Sequence, residues 1–178
     1  MTIVPDLSQE LLDLVDEAGS VVGTATRERV HREGLLHRAV HALVWHPDGR
    51  LLLQKRSRTK ASFPGAWDTS VGGHVGAGEQ PLEALMRECE EELGIQANPP
   101  DLIPLGRHLF DRETKDPELV DSWGLVHPGP FHPDPIEVES VAWFWREDVE
   151  ALIARGGSTP HFEIQWEQSV RSRTSSRP

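Results

Sequence analysis

The sequence has a single cysteine, Cys89, and no tyrosine among its 178 residues. One cysteine excludes an intramolecular disulfide and a zinc site made of several cysteines, and this scarcity is typical of proteins of the reducing cytoplasm. Long apolar runs are also lacking: none approaches the roughly 18 consecutive apolar residues of a membrane-spanning helix. Residues 1–6 do not resemble a secretion signal. We therefore expect a cytoplasmic protein without a membrane partner.

Positive charge is scarce as well. The chain has 18 Lys and Arg against 29 Asp and Glu, a formal net charge of −11. Proteins that bind nucleic acid polymers use clustered basic side chains to displace counterions from phosphates, so we expect no such polymer as a partner. A small anionic substrate would need a local source of positive charge.

The length and composition predict one compact domain over residues 1–168. Residues 169–178 carry three arginines among serines and a threonine, so we predict a mobile C-terminal tail there. Oligomeric state is left open by the sequence.

Hydrophobic periodicity predicts a chain rich in strands with two helices. The predicted strands are 11–15, 21–26, 39–45, 51–54, 67–71, 102–110, 119–126 and 137–145. Residues 27–36 and 127–135 are predicted to be irregular. The clearest helix is Pro81–Leu93, with proline at its first position and Gly94 just past its end; Glu147–Ala154 is the second.

The helix Pro81–Leu93 concentrates carboxylates on its polar side. Glu88, Glu91 and Glu92 are spaced i, i+3, i+4 and project from one face. Like charges this close repel one another unless a cation lies among them. A hard divalent ion such as Mg²⁺ binds carboxylate oxygens and bridges them to substrate phosphates. Taken alone, the same glutamates would also be typical of a solvated helix face.

The surrounding residues resemble the Nudix box, Gly-x5-Glu-x7-Arg-Glu-U-x-Glu-Glu-x-Gly-U, in which U is apolar. All of its fixed positions are matched, by Gly73, Glu79, Arg87, Glu88, Glu91, Glu92 and Gly94. At about 6–7% usage per residue type, seven fixed positions agree by chance on the order of 10⁻⁸ per window. The resemblance implies an α/β fold: an α/β/α sandwich with a mixed β-sheet and a loop–helix–loop catalytic motif. It also implies an enzyme that cleaves a diphosphate linked to another group.

The resemblance implies a role for each box residue. The magnesium ligands would be one main-chain carbonyl and three carboxylates: Gly73, Glu88, Glu91 and Glu92. Mn²⁺ would be able to replace Mg²⁺. Arg87 would orient the glutamates by charge-assisted hydrogen bonds, with Glu79 as its structural partner.

The general base varies in this family. We expect Glu91 or Glu92 if the base lies in the box, with Glu137 or Glu139 as rivals from a later segment. With Arg87, the two box glutamates form the predicted catalytic set.

Outside the box, His37–His41, Arg50–Arg56 and Phe63–His74 resemble the isopentenyl-diphosphate isomerase branch. That branch uses a cysteine just before a Gly-His pair, and this position is Gly72, which has no acid or base function. Its later glutamate pair aligns near Asp121 and Trp123, which loses at least one carboxylate. We therefore expect an isomerase-like scaffold that carries out hydrolysis.

Three histidines, His31, His37 and His74, stand at positions like those of the isomerase metal site. Two interpretations stay open for them. They are either packing and surface residues or the ligands of a second metal, since imidazole binds transition metals well.

The loop from Lys55 to Lys60 is the densest positive patch of the chain. It is either an ordinary solvated loop or a phosphate-binding loop. In the second interpretation, Arg56 and Lys60 hold the distal phosphate of the substrate, as basic residues do in the isomerase-like branch.

Aromatic residues give a weaker indication of the substrate. Trp67, Trp143 and Trp145 lie in apolar contexts and are predicted to be core, whereas Trp123 and Phe110 are candidates for lining a nucleobase pocket. We expect an Mg²⁺-dependent hydrolase of nucleoside di- or triphosphates or related nucleoside diphosphate derivatives. A pyrimidine preference is a guess that no residue secures. The alternatives are an isopentenyl-diphosphate isomerase and a non-enzymatic nucleotide sensor on the same fold.

Overall fold

The computed structural model of the chain describes residues 7–60, 62–110 and 116–174, with residues 170–174 described by their backbone alone. The strands are β1 Leu11–Val15, β2 Val21–Thr26, β3 His37–Trp45, β4 Leu51–Arg56, β5 Trp67–Asp68, β6 Val71–His74, β7 Ile103–Phe110, β8 Glu118–Val126 and β9 Val138–Phe144. The helices are α1 Arg27–Glu33, α2 Pro81–Leu93, α3 Arg146–Ala154 and α4 Pro160–Thr174. No helix in this described part is long and apolar enough to cross a membrane.

Strand β3 is the centre of the sheet. It runs parallel to β8, from His37 opposite Glu118 to Trp45 opposite Val126. Along residues 39–42 its other edge pairs antiparallel with β6. Its near-continuous apolar sequence is typical of a strand buried on both faces. The combination of parallel and antiparallel pairs confirms the predicted mixed sheet.

Helices cover both faces of this sheet. On one face, α2 contributes Leu85 and Leu93 to a core shared with Val40 and Val71. On the other face, Leu43 and Leu53 pack with residues of α3 and α4, Leu152 and Phe162 among them. Because adjacent residues of a strand point to opposite faces, one strand serves both cores. The predicted α/β/α sandwich is therefore confirmed.

Two helices were not predicted. Residues 27–36, expected to be irregular, contain α1, which is capped by the Thr26 side chain and ends at Gly34 with φ of 61°. Only Val30 of this helix is buried, so the sequence carries no apolar periodicity. Helix α4 continues past the predicted boundary at residue 168 as far as Thr174. Residues 175–178 lie outside the described part, so the domain limits and the mobility of the tail stay predictions.

Candidate functional site

Helix α2 and the loop before it form a rigid motif. Pro81 stands in the first helical turn, and the helix ends at Gly94, whose φ is 66°. Leu85 and Cys89 are buried against the sheet. Glu88 and Glu92 lie at the margin of this buried side, next to β6, whereas Glu91 is exposed. The predicted helix bounds are confirmed.

Arg87 is the centre of the ion pairs in this motif. Its Nε donates to Glu79 at 3.0 Å, and its Nη1 donates to Glu88 at 2.7 Å and Glu91 at 3.1 Å. Its Nη2 also donates to the carbonyl of His74 at 3.1 Å, which ties α2 to the end of β6. The structure thus places Arg87 where it holds two glutamates of the box in fixed positions.

Glu88 lies directly against the backbone of β6. A Cβ atom on Gly73 would lie 2.0 Å from the Glu88 carboxyl carbon, so the Glu88 side chain occupies the space that a side chain at position 73 would need. Burial raises the pKa of Glu88 to about 7, against the opposing effect of Arg87. The carboxylate is therefore held at the Gly73 main chain in a setting where a cation would stabilise its charged form.

Glu92 is buried at the same edge of β6. Its Oε2 accepts from the Gly72 amide at 2.9 Å and from Gln54 Nε2 at 3.0 Å. Burial, followed by repulsion from Glu88, raises the pKa of Glu92 to about 8. Glu91 differs from both, because its side chain is 59% exposed and its contact within the motif is Arg87.

The three glutamates therefore do not form one tight trio. In the described residues, the groups of three or more ligand-type side chains whose ligand atoms all lie within 4.8 Å of one another both involve histidines. Glu92 is buried and Glu88 is partly buried, and both have raised pKa values. Two such carboxylates nevertheless fit a hard divalent ion, since such an ion offsets the repulsion between them. Of the three predicted carboxylate ligands, Glu88 and Glu92 are the two that pack against the Gly72–Gly73 backbone.

A second cluster lies around Glu118. The rings of His31, His37 and His74 have centroids 5.0–5.4 Å apart. Nε2 of His37 and Nε2 of His74 lie 3.7 and 3.8 Å from Glu118 Oε1. Nε2 of His161, from α4, lies 3.8 Å from Glu118 Oε2. These distances are longer than those of hydrogen bonds. An ion could therefore lie between the imidazole nitrogens and the Glu118 carboxylate.

The protonation of His37 is fixed by its backbone partner. Its Nδ1 lies 2.9 Å from the Leu35 carbonyl and must donate to it, which leaves Nε2 as a lone-pair acceptor. That Nε2 is buried and has no hydrogen-bond partner among the residues that the structure describes. Burial lowers the pKa of His37 and raises that of Glu118 to about 8. A neutral imidazole and a carboxylate that face each other in this way fit a metal ion.

The carboxylates that lie beside the histidines are not at the two positions predicted from the sequence. Asp121, one of the two predicted positions, instead forms an ion pair with Arg107 at 2.8 Å. The parallel register of β3 and β8 places Glu118 opposite His37, and Asp116 Oδ1 lies 2.8 Å from His31 Nδ1. The structure therefore places two carboxylates, Asp116 and Glu118, beside the histidines, five positions before the predicted pair Asp121 and Trp123.

Arg56 is held in place by hydrogen bonds to Asp68 and Ser62. Its Nη1 donates to Asp68 at 3.0 Å. Its Nε and Nη2 donate to the Ser62 carbonyl at 3.1 and 3.0 Å. The nearby guanidinium acts against the burial of Glu118 and favours its charged form.

Other residues of the basic loop pair with the two rival bases. Lys60 Nζ contacts the carboxylate of Glu137. Glu139 accepts from Lys55 at 2.7 Å and from Arg58 at 3.3 Å. The hydrogen bond from Lys55 lowers the pKa of Glu139, which makes that carboxylate a weaker proton acceptor.

A cavity of about 390 Å³ opens between α1 and this loop. Its walls include Arg27, His31, Lys60 and Glu137. Arg27 also pairs with Glu10 at 3.3 Å. Sequence reasoning missed Arg27, because it stands in a segment without apolar periodicity; the signal that was available is the charge of the residue alone.

The aromatic predictions have mixed outcomes. Phe110 is 1% exposed and packs with Ala39 and Val120, so it does not line a nucleobase pocket. Trp123 packs against the core beneath α2. Trp145 is 50% exposed, which corrects its prediction as a core residue. Partly buried aromatic residues packed against the two main cores include Trp67 and Trp143.

A mixed sheet between helices, with an arginine that ties glutamates together in a loop–helix–loop, is the architecture expected of a Nudix hydrolase. Residues 35–163 match the NUDIX domain, so the chain belongs to the Nudix family. The chain is 38% identical over 149 residues to the uncharacterized Nudix hydrolase YfcD of Escherichia coli strain K12, covering 81% of this chain and 78% of that protein.

Two further relatives bear on the branch and the fold. The chain is 37% identical over 140 residues to an isopentenyl-diphosphate Delta-isomerase of Streptomyces avermitilis, covering 75% of this chain and 70% of that protein. The crystal structure of DR0079 from Deinococcus radiodurans matches with a TM-score of 0.72 and 30% identity, over 89% of this chain and 98% of that one.

These relationships settle the class of protein. The chain is an enzyme, a Nudix-type pyrophosphohydrolase that acts on acid anhydrides. The predicted likeness to the isomerase branch is confirmed. Nudix hydrolases generally use divalent metals and act on small nucleotide-derived substrates.

Proposed function

We propose that the enzyme cleaves a diphosphate bond in nucleoside 5′-di- or triphosphates or related nucleoside diphosphate derivatives, with Mg²⁺ bound by the box residues and Mn²⁺ able to replace it. The observation that carries this proposal is the packing of Glu88 and Glu92 against the Gly72–Gly73 backbone, with both pKa values raised. The ligands would be the Gly73 carbonyl and the carboxylates of Glu88, Glu91 and Glu92.

Bound there, the ion would polarise phosphoryl oxygens and lower the pKa of a coordinated water. Arg87 holds Glu88 and Glu91 in place through its hydrogen bonds. We assign the general base to Glu91 or Glu92, which takes one proton from the attacking water. The water oxygen bonds to phosphorus, and the bridging P–O bond breaks with its electron pair leaving on the departing phosphate.

Positive charge for the substrate comes from outside the box. Arg27 and Lys60 face the cavity of about 390 Å³, and burial lowers the pKa of Lys60 against the opposing field of Glu92. We propose that Lys60 and Arg56 bind the distal phosphate, with Arg27 as a further contact. A pyrimidine preference and a cytoplasmic location stay predictions, the second supported by the single buried cysteine.

The test is release of phosphate or pyrophosphate from a panel of nucleotides in the presence of Mg²⁺ or Mn²⁺. We expect Glu92→Gln to lower kcat by about 10²–10⁴-fold, the range for removal of a positioned acid or base. Glu90→Gln is the matched control, because Glu90 is exposed on the same helix. Absence of metal-dependent turnover on every nucleotide, or full activity of Glu92→Gln, would reject the proposal. Nucleotide binding without turnover would favour the sensor alternative.

We also propose that the histidine cluster binds a second divalent transition metal. The supporting observation is the buried Nε2 of His37, which lies 3.7 Å from Glu118 Oε1 and has no hydrogen-bond partner within the described part of the chain. Metal analysis of protein purified without added divalent ions tests it, since neutral imidazoles select such metals. We expect stoichiometric zinc or manganese in the wild type and loss of that metal in His74→Ala. Absence of both metals from the wild type would rule out the second metal site.

The isomerase alternative is disfavoured, although Glu118 and the histidines are retained. Gly72 provides no group to move a proton at the end of the reaction that the cysteine serves. Incubation with isopentenyl diphosphate tests this directly. We expect no allylic product.

A further inference from the structure

A buried carboxylate lies behind the guanidinium of Arg56. Asp68, in β5, accepts three hydrogen bonds and is itself buried. Its Oδ2 accepts from Arg56 at 3.0 Å, and its Oδ1 accepts from the Thr159 hydroxyl at 2.7 Å and the Thr69 amide at 2.8 Å. Both oxygens are therefore held in fixed directions, which makes Asp68 a rigid support for whatever it binds.

One N–H group of the Arg56 guanidinium is not used in its hydrogen bonds to the described residues. A guanidinium has five N–H groups. The Nε donates to the Ser62 carbonyl, and Nη2 donates to that carbonyl and to the Ser62 hydroxyl. Nη1 donates once, to Asp68. Among the described residues, the second N–H of Nη1 has no acceptor, and its direction is fixed because the planar group is held on its other sides.

Thr159 connects this arrangement to α4. It precedes the helix, and its hydroxyl accepts from the Phe162 amide at 3.2 Å while donating to Asp68. The adjacent Ser158 differs, because its hydroxyl donates to Glu163 at 2.8 Å instead. The cap of α4 therefore orients Asp68 through one hydroxyl and not through its neighbour.

We infer that Asp68, oriented by Thr159, is a positioning residue that aims the remaining Nη1 N–H of Arg56 at a phosphate oxygen of the substrate. This inference rests on the proposed function, in which Arg56 binds the distal phosphate. Without the Asp68 carboxylate, the Arg56 guanidinium loses the hydrogen bond from Nη1. The guanidinium then rotates, and the remaining Nη1 N–H no longer points at the phosphate oxygen. The loss falls on substrate binding and not on the chemical step, since the hydrogen bonds of Asp68 and Arg56 within the described residues go to Ser62, Thr69 and Thr159 and to no residue of the box.

The experiment measures KM and kcat of the full-length enzyme on a nucleotide that the wild type hydrolyses, together with the melting temperature. We expect Asp68→Asn to raise KM about tenfold and Thr159→Val several-fold, with kcat within about twofold. Thr159→Ser keeps the hydroxyl and should restore the wild-type KM. Ser158→Ala is the matched control and should leave KM unchanged.

A double-mutant cycle separates positioning from a merely structural role. In an Arg56→Ala background, Asp68→Asn should leave KM unchanged, because the group that it positions is gone. An equal rise of KM in both backgrounds, or an unchanged KM in both Asp68→Asn and Thr159→Val, would overturn the inference. If Asp68→Asn does not fold, the comparison of Thr159→Val with Thr159→Ser carries the test.

Failure of the proposed function gives a different result. If the wild type hydrolyses no nucleotide, its affinity for inorganic pyrophosphate, measured by calorimetry, replaces KM in the same set of variants. Weaker pyrophosphate binding by Asp68→Asn and not by Ser158→Ala would still support the positioning role, and equal binding by all variants would overturn it.

Discussion

Arg87 and Glu79 form a two-pronged ion pair, in which Nε and Nη2 of the arginine each donate to one carboxylate oxygen at 3.0 Å. The same carboxylate accepts from the Gly76 amide at 2.8 Å, so the loop before α2 and the arginine share one anchor. The pairing with Arg87 lowers the pKa of Glu79 against the effect of its burial. Glu79 therefore acts on the site through Arg87 and not on the substrate.

We predict that Glu79→Gln lowers kcat about 10–100-fold, the range for outer groups that orient metal ligands. An amide cannot accept both guanidinium bonds, so Arg87 would hold Glu88 and Glu91 less firmly. Steady-state kinetics at several Mg²⁺ concentrations provide the measurement, with Glu90→Gln as the control. Unchanged kcat at saturating and at limiting Mg²⁺ would contradict this role.

Gly73→Ala should be among the most damaging single changes in the box. Its Cβ would lie 2.0 Å from the Glu88 carboxyl carbon and 2.1 Å from its Oε1. Glu88 must then move away from β6, so we expect turnover to fall by at least about tenfold. The matched change Gly76→Ala meets only the flexible Glu79 carboxylate, at 3.3 Å, and should be milder. Equal activities of the two variants would show that the position of Glu88 is unimportant.

Arg56→Ala should raise KM strongly and should change the free energy of unfolding only slightly. The guanidinium is attached at the surface of the site through Ser62 and Asp68, and its loss removes a charge-assisted contact to phosphate, for which about tenfold or more in KM is expected. Urea unfolding of the same variant monitors stability. A KM equal to that of the wild type would count against phosphate binding by Arg56.

The buried His41 should make the stability depend on pH. Burial lowers its pKa to about 4 from the ordinary 6.5. The unfolded chain therefore binds more protons between these values, and stability falls as the pH falls from about 6.5 toward 4. The loss from this residue is about 3 kcal/mol at most, as each pKa unit corresponds to about 1.4 kcal/mol.

Urea unfolding at pH 7 and pH 5 measures this effect. In His41→Gln the titrating group is absent, so the decrease in stability between the two pH values should be smaller than in the wild type. His41→Asn provides a second variant, in case the longer side chain does not pack beside Gln165, whose Oε1 lies 3.2 Å from His41 Nδ1. Parallel pH profiles for the wild type and both variants would refute the prediction.

Local signals made α2 and its site predictable. Pro81 and Gly94 mark the ends of the helix, and its apolar residues repeat at helical spacing. The helix α1 has one buried apolar residue, Val30. In α4, the buried residues include the polar Gln165, which no hydrophobic pattern reveals. These two helices form through contacts with the sheet, and a sequence without those contacts gives no sign of them.

The histidine cluster depends on long-range register. Glu118 lies opposite His37 because β8 runs parallel to β3 from that pair onward. A shift of one residue would turn the Glu118 side chain to the other face of the sheet. A sequence does not fix such a register, which is why the carboxylate pair was predicted near Asp121 and Trp123, and why the hydrogen-bond support of Arg56 by Asp68 was not foreseen.

The two neighbouring glycines of β6, Gly72 and Gly73, face different side chains. A side chain at position 73 would meet Glu88, whereas one at position 72 would meet His41 at 3.2 Å. A substitution at position 73 is therefore limited by Glu88, and a substitution at position 72 is limited by His41. A cysteine introduced at position 72 would therefore meet His41 and would leave Glu88 in place, so a reactive side chain could be added to this strand without displacing the glutamate that packs on position 73.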